Sequence, residues 1–94
     1  MGIHVPIEKV SEDAHGATYR FTKDVLEPDP ARPRRLRVAR TLVAVCSVAK
    51  GSGAVVLVDD GGWAAGSAEF ARVQQKLKQH WQAGEFPEAT SWSS

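Results

Sequence analysis

Residues Thr41–Trp63, TLVAVCSVAKGSGAVVLVDDGGW, hold two apolar runs joined by Lys50-Gly51-Ser52-Gly53. Glycines at a joint supply the positive φ of a tight connection, so the segment reads as a β-hairpin. In its first run Leu42, Ala44, Cys46 and Val48 take one parity, yet Val43 and Val45 on the other are equally apolar. The second run repeats this, with Val56 and Val58 against Val55 and Leu57. Such strands avoid water on both faces. A helix about 10 Å across cannot cover both sides of four strands spaced about 4.8 Å apart. Val43, Val45, Val55 and Leu57, or the alternate set if a helix takes that face, are therefore expected to meet a second copy or another protein. The competing cover is the C-terminal tail, through Phe86 and Trp92.

Upstream, Ile3, Val5 and Ile7 alternate with His4, Pro6 and Glu8, a strand period. Pro6 has no N–H for a ladder, which predicts an edge strand. Ser11–Gly16 reads as a connector to a second strand that turns Tyr19 and Phe21 inward. Glu27–Pro33 carries Pro28, Pro30 and Pro33 and reads as a stiff, exposed connector. From Arg35 to Ala49 the chain reads as strand, with Arg40 interrupting the apolar parity, so a bulge or bend is expected near Ala39–Thr41.

Downstream, Asp59-Asp60-Gly61-Gly62 ends the last strand by turn chemistry. Ser67 is the expected N-cap of a helix over residues 68–83, and Gly84 its C′ residue. Phe70, Val73, Leu77 and Trp81 form one stripe at helical spacing. Residues 85–94 show no period and read as an irregular tail. The expected fold is a small two-layer α+β domain spanning residues 1–94. It is an antiparallel β-meander of about four strands followed by one C-terminal amphipathic helix on one face, ββββα.

Ninety-four residues have interior for a single core. The net charge of +1 favours neither nucleic acid nor an acidic membrane as a global partner. No export signal, myristoylation pattern or bilayer-length apolar run is legible. The single cysteine, Cys46, allows no internal disulfide, which places the chain in a reducing cytoplasm.

Five of the seven arginines, Arg32, Arg34, Arg35, Arg37 and Arg40, crowd into one stretch without an acid. A basic β-ribbon of this kind grips phosphates, or else pairs with Asp24, Glu27 and Asp29 and guards a sheet edge. Cys46 among valines reads as a core thiol. His4, His15 and His80 have no metal-ligand spacing, and neither Asp59-Asp60 nor Gly51-Ser52-Gly53 completes a catalytic or phosphate-binding set. No catalytic residue, cofactor or metal ligand is assigned. Trp63 in a glycine-rich loop and Trp92 near the terminus are candidates for a protein contact.

The expected function is a non-enzymatic protein-interaction module, acting as a homo-oligomer or as an accessory, inhibitory or immunity-type binder. The chain is similar only in type to small bacterial proteins of that kind. The alternative is nucleic-acid binding through Arg32–Arg40.

Overall fold

A computed structural model of the chain describes residues 4–93; Ile3 of the first strand pattern and Ser94 of the tail lie outside the described residues. The elements are β1 (His4–Glu12), β2 (Gly16–Asp29), β3 (Arg32–Ala49), β4 (Val55–Asp59), α1 (Ala68–Gln82) and β5 (Ala89–Ser93). All pairings are antiparallel, in the order β4-β3-β2-β1-β5, and α1 packs on one face of the sheet.

Alternation decides which side chains meet the helix. Val5, Ile7, Ala17, Tyr19, Phe21, Ala44, Cys46 and Val48 are buried on that face, and Val73 and Leu77 of α1 close over them. Phe21 lies at the centre, stacked on Phe70 at 5.9 Å between ring centroids and edge-on to Trp63 at 5.6 Å. Burial pushes the Cys46 thiol up to about 12, so at neutral pH it is a small apolar side chain.

The helix starts and stops where its sequence signals lie. The Ser67 hydroxyl oxygen accepts from the Phe70 N–H at 3.1 Å, an N-cap bond. At the other end Gly84 adopts φ 73°. Its N–H donates to Trp81 O at 3.0 Å and that of Glu85 to His80 O at 2.9 Å, the paired bonds of a Schellman end. The expected bulge is present too: Val25 opposes Arg40 and Leu26 opposes Val38, leaving Ala39 unmatched.

Three expectations need correction. Residues 85–94 are not wholly irregular, because Ala89–Ser93 forms β5 along β1. β1 is therefore internal rather than an edge. It tolerates Pro6 because its ladder to β2 begins only at Ile7, one residue beyond the missing N–H. The proline-rich connector is instead the tip of the β2–β3 hairpin, with Glu27 and Pro28 still paired to Arg37 and Leu36.

One corner is held by charge. Glu12 accepts from Lys9 and Lys50, and these two ammonium groups, Lys50 foremost, draw its carboxyl down to about 2 from the ordinary 4.5. A carboxyl depressed by folding stabilises fully above its unfolded pKa, and that contribution is lost as pH falls through the folded value. Wild type is thus expected to melt above Glu12→Gln at neutral pH. The gap should shrink from about pH 4.5 downward and close near pH 2, as read in melting temperatures across that range. A gap independent of pH would show that the bonds contribute no charge stabilisation.

Candidate functional site

The face turned away from α1 is where the chain departs from an ordinary small domain. Of the large apolar side chains exposed among the described residues, Leu26, Leu36, Val38, Val43 and Val56 share this face; Val10 and Val58 sit in bulges of β1 and β4. Val43 is 45% exposed, Val56 59% and Val58 64%. Their placement follows from register: Val43 opposes Thr22 and Val56 opposes Ser47, each one residue out of phase with the buried Phe21 and Val48.

The structure splits the four residues expected to form the contact. Val43 and Val45 lie on the open face, whereas Val55 and Leu57 pack against the core. The physical reason is the parity of the turn. Residues 49–54, six in number, separate Val48 from its partner Val55, so odd positions of β3 share a face with even positions of β4. Val56 therefore joins Val43 and Val45, while Val58 is left unmatched between Leu57, opposite Cys46, and Asp59, opposite Val45.

Trp63 and Trp92 are both partly buried against the core. Trp63 donates its indole N–H to Val43 O at 3.0 Å, covering one carbonyl on the outer edge of β3. Trp92 pairs with the buried Val5, which puts it on the helix face under the Arg72 guanidinium at 5.6 Å. Phe86 packs against the core beneath Lys50. The tail thus serves the helix side and leaves the opposite face open among the described residues.

The second feature is an arm. β1 pairs with β2 no further than Phe21, and β4 pairs with β3 no nearer the tip than Val45. Residues 22–29 and 32–43 therefore pair only with each other and extend from the body as a two-stranded ribbon, in a molecule 50 Å long and 24 by 22 Å across. Such a ribbon alone is at best marginally stable in water. Along it the open face carries Leu26, Leu36 and Val38, while Arg37 and Arg40 fall on the other side with Glu27 and Val25.

All five arginines of the run are exposed. Arg37 pairs with Glu27 at 2.7 Å, and it alone of the five makes an ion pair among the described residues. Of the other upstream acids, Asp24 accepts the Thr41 hydroxyl at 2.9 Å and Asp29 accepts the Ala31 N–H at 2.9 Å. An exposed pair contributes less than about 1 kcal/mol, so Arg35→Gln with Arg37→Gln is expected to leave the melting temperature within a few degrees of wild type. Unfolding of that variant in a thermal melt would instead make the run part of the structural framework.

The remaining candidates are accounted for locally. Asp59 and Asp60 accept the N–H groups of Gly61 and Gly62 at 2.9 and 2.8 Å, so they shape the turn after β4. His80 bridges the helix end to the tail, between Glu85 at 3.3 Å and the Thr90 hydroxyl at 2.9 Å. Among the described residues no group of three or more His, Cys, Asp or Glu is placed to hold a metal ion, and no helix is long and apolar enough to cross a membrane.

Compared with known proteins, the chain matches no family model, no curated protein and no solved structure.

Proposed function

We propose that this chain is a protein-interaction module that acts by occupying a surface rather than by catalysis, as an oligomer or as an accessory, inhibitory or immunity-type binder in a reducing cytoplasm. The observation that carries the reading is the concentration of five large exposed apolar side chains on the one sheet face that neither α1 nor the tail covers. Exposed apolar side chains gathered on one face, here Val43, Val45 and Val56 at the body and Leu26, Leu36 and Val38 along the arm with Asp24 and Thr41 between them, mark contact sites on small proteins. The buried, protonated Cys46 suits a compartment in which thiols stay reduced.

The test is affinity capture from the native cell with two baits, wild type and the Val43→Lys, Val56→Lys double variant, each first shown to be folded by circular dichroism. A protein, whether this chain or another, should be retained by the first and lost from the second, because a lysine cannot be buried there without penalty. Identical retention by both baits overturns the reading.

One observation favours a second reading, nucleic-acid binding: Arg32, Arg34, Arg35 and Arg40 project from the arm without a carboxylate partner among the described residues. Phosphate contacts by these four would give a logarithmic salt slope of about −0.9 per neutralised phosphate on duplex DNA. Binding to DNA or RNA that falls steeply with salt, and is lost when the four become glutamine, would favour this reading over the apolar face.

A further inference from the structure

We infer that the arm takes up an extended segment of another protein, one that alternates acidic and apolar side chains, as an added strand along the outer edge of β3. The step rests on the interaction reading in taking the partner to be a protein, but it uses an edge of the sheet where that reading uses a face.

The edge is unpaired backbone. Ala49 donates to Ala54 O and accepts from the Gly53 N–H, and Val43 O accepts from the Trp63 indole. Odd residues of this part of β3 therefore turn their N–H and C=O groups away from β2, and Thr41 continues the series. Beyond the unmatched Ala39 the phase shifts by one, which turns the groups of Val38 and Leu36 outward. Pro28 opposite Leu36 agrees with that phase, since β2 owes β3 no N–H there. β4 ends its pairing at Val45 and Trp63 covers Val43, leaving Leu36, Val38 and Thr41 with no strand beside them among the described residues. Outward backbone groups of this kind are a template for another strand.

The side chains along the edge select the segment. Leu36 and Val38 lie on one side of it, Arg37 and Arg40 on the other, and Arg34 and Arg35 toward its tip. An incoming strand alternates too, so it meets Leu36 and Val38 with apolar side chains and the arginines with acidic ones. Of these four arginines only Arg37 has a carboxylate partner among the described residues. Phosphates would suit the guanidinium groups but cannot donate to the outward carbonyls, and they gain nothing from Leu36 and Val38. An acidic strand satisfies all three.

Among the described residues no strand edge of a second copy supplies this segment. Asp24, Glu27 and Asp29 lie on β2, whose free edge is blocked where Pro28 turns a nitrogen without hydrogen outward. β4 carries one acid, Asp59, and β5 none. Two β3 edges would bring like arginines together. The charge thus guards the edge against copies of itself and admits a strand of opposite sign.

The probe is a capped synthetic peptide of about ten residues alternating valine and glutamate, titrated into the full chain. The Ala39 bulge divides the edge and keeps the contact short, so a Kd on the order of 100 µM is expected, weakening as salt rises. In the complex, exchange of the Leu36 and Val38 amide protons should slow at least tenfold, whereas that of Arg37, already turned toward β2, should not change. Lysine in place of the peptide's glutamates, or Arg35→Gln with Arg40→Gln in the chain, should weaken binding at least tenfold. N-methylation of the peptide's valines, whose N–H groups would face Leu36 and Val38, should abolish it. The Val43→Lys, Val56→Lys variant should bind as wild type does. The proposal is overturned by no binding up to about 1 mM peptide, by equal binding of the N-methylated peptide, or by unslowed Leu36 and Val38 amides at saturation. Binding lost in the lysine variant moves the peptide to the open face, which overturns the edge and leaves the interaction reading standing. Arginine-dependent binding of DNA by a chain that ignores the peptide overturns it in favour of nucleic acid.

Discussion

Phe21→Ala is expected to abolish cooperative folding. Phe21 is fully buried, stacked on Phe70 from the helix and edge-on to Trp63 from the loop before it. It thus joins sheet, helix and loop at the last residue where β2 is paired on both sides. Truncating a buried phenylalanine costs about 3–5 kcal/mol through lost transfer free energy and the cavity left behind. A domain of this size has only about 5–14 kcal/mol in total. Loss of the ring also loosens Trp63, whose indole holds Val43 O at the base of the arm. The near-ultraviolet circular dichroism should collapse and the calorimetric transition should broaden or vanish. A sharp transition within a few degrees of wild type would show that the three-ring cluster is not the keystone of the core.

Local rules recovered the elements whose signals do not depend on distant chain. Ser67 and Gly84 bound the helix as expected, and Arg40 betrayed the bulge because a charge broke an apolar parity. Sheet partners were less legible. Nothing in Ala89–Ser93 has the alternation of a strand, and these residues pair only because Val5 and Ile7 lie in a strand with a free edge opposite β2. Pro6 pointed to that edge, but its rule constrains one N–H rather than a whole strand. The arm was hidden for a related reason: Pro28 and Pro30 read as breakers, although a ribbon paired on one side only can hold a proline where no ladder bond is needed.

The open face was legible as a need and not as a residue set. Two apolar parities in one hairpin required cover on both sides, and the structure leaves one of them bare among the described residues. Which valines lie together depends on whether the turn holds an odd or even number of residues. A glycine-rich turn has no local feature that fixes that number. The arginines followed the same logic: their exposure could be read, whereas the separation of Arg37 and Arg40 from the apolar side of the arm needed the β2–β3 register.

Trp81→Ala is the second substitution expected to remove the native state, and its effect should depend on a glycine. Trp81 ends the apolar stripe of α1 and donates its indole N–H to Lys50 O at 2.8 Å, fastening the helix to the β3–β4 turn. Its ring lies over Gly53, where an added Cβ would sit 2.6 Å from Trp81 Cδ2, and Gly53 has φ 74°. The residue is glycine for two reasons: backbone conformation and room for the indole. Removing this partly buried ring forfeits about 3 kcal/mol of packing, the low end for a tryptophan, which with the lost indole bond is enough to leave the domain unfolded or without fixed tertiary structure. Gly53→Ala alone should also destabilise strongly, because the methyl meets the ring and the left-handed backbone resists it. The combined variant removes the collision, so its loss should fall short of the sum of the two single losses. Denaturant unfolding, in a stabilising osmolyte if the single variants are too weak to measure, gives the three free energies. Strict additivity would mean that ring and turn do not sense each other. A Trp81→Ala chain with dispersed amide signals and a wild-type midpoint would mean that Phe70, Val73 and Leu77 hold the helix without it.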